Sequence, residues 1–284
     1  MMVCVRSILH NVNGFNLNSM TSKKYPYYLA SIWKLLAEMQ PRLYILGLFL
    51  GMPAAGGRVI ELSKSGIRFK IRGVMDIWTI KETFLDRFYE KYGTPIGDGW
   101  TVVDIGAGIG DFSILAAVRH PKNKVFAFEP NRGSYSLLLE NLKLNQVSNV
   151  QVYPEAIWSH STELAIDTSA SEPGQYKSRP IGEVESLGSE LVVPSLSLED
   201  AFERSRLAHC DLLKIDCEGA EFVILFNTPD TVLQGIERIV MEYHDDVEAY
   251  THKDLVDFLA SKGFDVKTYP NYVHPYLGYL YASR

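Results

Sequence analysis

The stretch Val102–Phe112 reads VVDIGAGIGDF, and its reading decides the fold. An unbroken apolar run ends in Asp104. Gly106, Gly108 and Gly110 follow, and then DFSILAAVRH (111–120) takes up helical spacing. An apolar strand feeding a glycine turn and a helix is the nucleotide-binding end of a parallel α/β sheet. Glycine lets the backbone take φ > 0 and approach a ligand closely. The dinucleotide fingerprint is G-x-G-x-x-G with a pyrophosphate on the helix N-terminus. Here the third glycine comes one residue early, and Asp104 would sit badly beside a pyrophosphate. An acid there suits an ammonium group, which S-adenosylmethionine carries and a pyrophosphate cofactor does not.

Outward from this turn, strands and helices alternate. Apolar runs at 124–129, 150–153, 211–216 and 238–243 read as strands, with a short extra one at 163–167. Helices are expected at 132–145, 198–207, 219–226 and 253–263. Two closing strands, FDVKTY (264–269) and GYLYAS (278–283), lie too close for a helical crossover and should pair antiparallel. The predicted fold is α/β: a Rossmann-like, seven-stranded, mostly parallel sheet with an antiparallel C-terminal hairpin, behind an N-terminal helical and strand extension. The extension is assigned to residues 1–57, its first 25 poorly ordered, and the main domain to 58–284. Within it, a Gly/Ser/Pro/Glu-rich insertion at 168–196 reads as a substrate-side lid or a hairpin excursion. Ahead of the glycine turn, helices are expected at 27–40 and 43–50, an alternating strand at 66–73, and a helix at 77–92.

The later strand tips add acids. FAFEPN ends in Glu129, followed by Pro130 and Asn131; an acid there can take both hydroxyls of a ribose. YPEAI places Glu155 toward an adenine amino group, with Ala156 and Ile157 beside the ring. Three acids at successive tips beside a glycine turn point to a nucleoside-bearing donor, held by Asp104, Gly106, Ala107, Gly108, Gly110, Glu129, Pro130, Asn131, Glu155, Ala156, Ile157 and Asp216.

VVDIGAGIGDFS, FAFEPN, LKIDCEGAEF and IVMEYH, in that order and spacing, resemble the FkbM-type methyltransferases. The resemblance runs from roughly Ile67 to Val266, and KIDCEGAE (214–221) is its most specific string. RGVMDIWTIKETF, with Arg72, Asp76 and Glu82, resembles the family's segment before the glycine turn. The family implies a class I methyltransferase fold and S-adenosylmethionine-dependent methylation of hydroxyls on sugars or polyketide-like small molecules.

In such a sheet Asp216 ends one strand and Glu242 to His244 end the next, facing the transferred methyl. A hydroxyl needs a base or a metal to become a nucleophile. His244 is one candidate base. The alternative is a divalent cation on Asp216, Glu242 and His244. Lys214 lies two residues before Asp216, hence on one strand face with it. It reads as a partner of Asp216, a group orienting a substrate oxygen, or a member of a buried ion pair. Glu218 is left between chemistry and the start of the helix, and Glu221 reads as a first-turn acid favouring that start. Arg68, Lys70 and Arg72 share a strand face that could meet a phosphate or water.

Composition bounds the rest. The net charge is −6, and no Asn/Asp-Pro-Pro-Tyr/Phe quartet or Pro-Cys nucleophile is present, which argues against a nucleic-acid substrate. Residues 1–100 carry 13 Lys/Arg against 7 Asp/Glu, and the remainder 15 against 27, so a basic front end precedes an acidic body. The most apolar stretch, Leu43–Met52, is about ten residues, against ~20 for a span. No transmembrane helix is expected; the stretch reads as a buried helix or, alternatively, as a peripheral membrane contact. Three widely spaced cysteines and no early apolar leader point to a reducing, cytoplasmic setting. A small-molecule or glycan acceptor is expected. The competing readings are an NAD-type oxidoreductase and an inactive cofactor-binding or membrane-peripheral module.

Overall fold

A computed structural model describes residues 24–53, 57–167, 178–180, 190–245, 249–271 and 274–284. Two compact units divide between Leu85 and Asp86, rather than at the 57/58 boundary drawn from the sequence.

The first unit contains α1 (Lys24–Glu38), β1 (Met39–Gln40), α2 (Arg42–Phe49), β2 (Arg58–Leu62), β3 (Arg68–Ile71) and α3 (Val74–Ile80). The three strands form an antiparallel sheet in the order β1-β2-β3. Leu35, Met39, Ile45, Ile60, Phe69, Ile71, Ile77 and Ile80 are buried, so the alternation at 66–73 sends Phe69 and Ile71 inward. Arg72 is committed locally. Its Nε and Nη2 donate to Asp76 at 3.1 and 2.8 Å, so it is not a ready phosphate ligand. The single helix expected over 77–92 is broken. A π-helical turn spans Lys81–Asp86, Arg87 takes φ 55°, and α4 covers Phe88–Lys91. A left-handed residue ends a helix, and the local sequence carries no glycine there to signal it.

The second unit is built on a seven-stranded sheet. In chain order it holds β4 (Thr101–Ile105), α5 (Asp111–Arg119), β5 (Lys124–Phe128), α6 (Arg132–Leu144) and β6 (Val150–Tyr153). After an excursion come α7 (Leu198–Ser205), β11 (Leu212–Ile215), α8 (Ala220–Phe226), α9 (Asp230–Gln234), β12 (Arg238–His244), α10 (His252–Ser261), β13 (Asp265–Pro270) and β14 (Leu277–Ser283). The order is β13-β14-β12-β11-β4-β5-β6, with β14 antiparallel to both its neighbours. This is the class I methyltransferase sheet with its reversed hairpin. Its inner strands are apolar on both faces because helices cover both, and each buried Val, Leu or Ile contributes roughly 1.5–3 kcal/mol. The chain leaves β4 toward β5 and β6, then returns to β11 on the other side. The crevice at that switch point is where open α/β sheets bind ligands.

The insertion builds structure of its own. β7 (Ala156–Trp158), β8 (Thr162–Asp167), β9 (Ser178–Pro180) and β10 (Glu190–Ser197) form a second sheet ordered β7-β10-β8-β9. β10 pairs antiparallel with β8 along six positions and parallel with β7. The remainder of the proposed lid, and the first 23 residues, lie outside the described residues.

Candidate active site

The glycine turn sits at the switch point and is shaped by close approach. Gly106 (φ 72°) would place a Cβ 1.9 Å from the Asp216 carbonyl, so only glycine lets the β4 and β11 exits pass. Gly110 (φ 87°) caps α5 with Leu138 beneath it. Gly108 (φ 54°) differs: a Cβ there would meet nothing within 4 Å, so its outer side is open. The turn is held from below by the Ala107 amide on the Phe128 carbonyl (3.1 Å) and by Asn141 Nδ2 on the Ile109 carbonyl (3.0 Å).

Glu129 stands at the β5 tip, buried. Its Oε2 accepts from the Gly108 amide and its Oε1 from the Asn131 amide, both at 2.8 Å. The acid is thus locked against the glycine turn. Asn131 caps α6 through Oδ1, accepting from the Gly133 and Ser134 amides, and Pro130 is half-buried between them. Glu155 follows β6 and is also buried. Arg204 of α7 binds its Oε1 at 2.5 Å, while its buried Oε2 has no hydrogen-bond partner among the described residues. Arg204 also lies 5.3 Å from the Tyr153 ring centroid. Ala156 and Ile157 are buried in β7.

Asp104 and Lys214 form a buried ion pair, one of the readings open for Lys214. They are register partners on adjacent parallel strands. Lys214 Nζ lies 3.0 Å from Asp104 Oδ1 and donates to the Gly106 carbonyl at 2.8 Å. Ser113 Oγ donates to Asp104 Oδ2 at 2.6 Å. Asp104 is fully buried, so it anchors the turn from beneath instead of meeting a donor ammonium directly. Lys214 is the other half of that anchor, not a partner of Asp216 and not a group facing an acceptor. Burial alone would lower the lysine pKa; Asp104, then Asp216 and Asp111, overcome this and raise it, so it stays charged.

Asp216, half-buried after β11, accepts a 2.7 Å hydrogen bond on Oδ2 from Tyr89 Oη. Burial, then the charges of Asp216 and Glu242, push the Tyr89 phenol well up, so it remains a donor. Tyr89 lies in α4, where no sequence pattern singled it out.

His244, at the end of β12, is buried between two glutamates. Nδ1 is 3.0 Å from Glu221 Oε1 and Nε2 is 3.5 Å from Glu218 Oε2. Burial lowers its pKa, but Glu221 first, then Glu218 and Glu242, raise it to about 10. These acids favour the imidazolium at neutral pH, which weighs against His244 as the base. Glu221 is fully buried, and its Oε1 also accepts from the Cys217 amide at 3.2 Å. It therefore ties the turn after β11 to the tip of β12, a larger role than dressing a helix start. The turn carries Glu218 at φ 54° and Gly219 at φ 102°. The proposed metal set is not assembled. Both ring nitrogens of His244 face glutamates, Glu242 lies two residues back along β12, and among the described residues no three His, Cys, Asp or Glu side chains form a metal-holding group. Burial first, then Glu221 and Asp216, raise the Cys217 thiol, leaving it unactivated.

Similarity to known proteins follows the same residues. The profile of the Methyltransferase FkbM domain matches residues 104–266. Methyltransferase 1 of Beauveria bassiana is 31% identical over 203 residues, covering 66% of this chain and 80% of that protein. The 31-O-demethyl-FK506 methyltransferase FkbM of Streptomyces tacrolimicus is 27% identical over 213 residues, covering 66% and 80%. The hexuronic acid methyltransferase AglP of Haloferax volcanii is 24% identical over 203 residues, covering 71% and 79%. With the glycine turn, the Asp216–Glu221 string and the reversed hairpin all in place, the chain belongs to the FkbM methyltransferase family and is a methyltransferase.

Proposed function

We propose that the chain is an S-adenosylmethionine-dependent O-methyltransferase acting on a hydroxyl of a small molecule or glycan. One observation carries the donor assignment: a buried carboxylate, Glu129, locked at 2.8 Å to the amide of Gly108, whose outer side is open. A carboxylate on the glycine-turn amide repels a pyrophosphate and suits ribose hydroxyls, which weighs against an NAD-type oxidoreductase. Glu155 Oε2, without a hydrogen-bond partner among the described residues, supplies a further acceptor at the next tip, suited to an adenine amino group. The residues therefore fit the donor. When bound, S-adenosylmethionine supplies a methyl group already activated by its sulfonium.

The chain's own contribution is positioning and proton removal. Glu129 holds the ribose, and Ala156 and Ile157 offer an apolar wall. Asp216, oriented by Tyr89, would accept the proton of the acceptor hydroxyl and pass it to water. His244, held charged by Glu221, fixes the turn that carries Glu218. The acceptor class is supported by the names of two relatives, a 31-O-demethyl-FK506 methyltransferase and a hexuronic acid methyltransferase. The test is transfer of labelled methyl from S-adenosylmethionine to a panel of uronic acids, neutral sugars and macrolide alcohols. Transfer to a hydroxyl, reduced at least about 100-fold in Asp216→Asn with donor affinity kept, supports the reading. Undiminished transfer by that variant would reject Asp216.

A further inference from the structure

We propose that the α1–α2 face of the first unit docks on an anionic lipid surface, a role separate from methyl transfer. From Tyr27 onward, the exposed positions of α1 are Leu29, Ala30, Trp33 and Ala37, and none carries a charge. Their spacing puts them on one side of the helix. A helix bathed only by water shows the opposite pattern, with charge outside. Trp33 is 76% exposed and Leu43, at the start of α2, is 85% exposed. Leu50, which caps the C-terminus of α2, and Met52 just beyond it are both at least half exposed. Five of the ten large apolar side chains left exposed among the described residues fall between Leu29 and Met52. They are concentrated in one helical pair, not scattered.

Charge selects the occupant. Residues 1–85, the first compact unit, carry 11 Lys/Arg against 4 Asp/Glu, a balance of +7. The rest of the chain carries 17 against 30, or −13. Arg42 is exposed beside Leu43. Apolar side chains with an outward tryptophan, set in a cationic unit of an otherwise acidic protein, match an interface of anionic headgroups over acyl chains. The contact is in the plane of the surface. α1 has 15 residues, about 22 Å of helix, short of the ~30 Å hydrocarbon core. No helix among the described residues is long and apolar enough to cross a membrane.

The experiment is co-sedimentation of the full chain with phosphatidylcholine vesicles, with and without about 30% phosphatidylglycerol. Wild type should pellet with the anionic vesicles, less with neutral ones, and less again at about 0.5 M salt. The double variant Leu29→Ser/Trp33→Ser should partition roughly tenfold or more weakly. Both positions are exposed, so its melting temperature and its affinity for S-adenosylhomocysteine should stay those of wild type. Three results would overturn the proposal: no pelleting with either vesicle, equal pelleting of the variant, or a wild-type dimer that the variant dissociates without any vesicle binding. The last would assign the face to a second copy of the chain.

Discussion

Replacing Glu221 with glutamine removes the carboxylate that faces His244 Nδ1 at 3.0 Å while keeping the side chain's shape. The His244 imidazole is raised from 6.5 to about 10 in the folded chain. The folded-state pKa is the higher one. The stabilisation is therefore complete below pH 6.5, declines as pH rises, and is gone once pH passes through about 10. The whole rise corresponds to several kcal/mol below pH 6.5, with Glu221 supplying the largest part beside Glu218 and Glu242; removing the Glu221 share costs roughly 3 kcal/mol at pH 7.5. That agrees with the about 3–5 kcal/mol expected when one partner of a buried ion pair is deleted. For a unit of some 200 residues this lowers the melting temperature by roughly 6–12 °C at pH 7.5. The assay is thermal unfolding from about pH 6 to 10, together with imidazole NMR titration of His244. Wild type should lose stability across that range, with the His244 resonance still that of an imidazolium at pH 8. In Glu221→Gln the difference from wild type should be largest at the acid end and vanish near pH 10, with His244 neutral at pH 8. A variant that melts like wild type at pH 7.5, with His244 neutral in both proteins, would refute the reasoning.

Further predictions concern the turn and its neighbours. Tyr89→Phe removes a hydrogen bond to a charged group, so methyl transfer should fall roughly 10- to 100-fold in kcat/KM while S-adenosylhomocysteine affinity stays within a few-fold. Gly106→Ala should cost folding itself, read as loss of cooperative melting, because its Cβ meets the Asp216 carbonyl. Gly108→Ala should melt within a few degrees of wild type yet bind S-adenosylhomocysteine more weakly by calorimetry, since its Cβ enters the open side of the turn. Lys214→Met leaves Asp104 buried without its cation, at a cost of about 3–5 kcal/mol in denaturant titration.

The parts of the fold fixed by local pattern were legible in the sequence. Apolar runs and glycine turns marked the parallel strands, and the short gap between 269 and 278 marked the reversed hairpin. At the site, Glu129 and the glycine turn meet as their spacing suggested. What escaped was tertiary. Lys214 faces Asp104 because two strands far apart in sequence lie in register. Glu221 looked like a helix-start acid because only the pairing of β11 with β12 brings it to His244. His244 looked like a free base because its pKa depends on three acids whose convergence no local window contains. Tyr89 lies in a four-residue helix after a left-handed residue, and nothing periodic points to it. The insertion read as a lid or a hairpin excursion from its composition, and its end supplies β10, whose pairing with β7 and β8 builds a second sheet.

Calorimetric titration of the whole chain with S-adenosylhomocysteine, beside NAD and beside a Glu129→Ala variant, tests the central claim most directly. The account predicts saturable binding of S-adenosylhomocysteine, at least about tenfold weaker binding in Glu129→Ala, where charge-assisted hydrogen bonds to the ribose are lost, and no heat with NAD. Binding of NAD in preference to S-adenosylhomocysteine, or an unchanged affinity in Glu129→Ala, would contradict it.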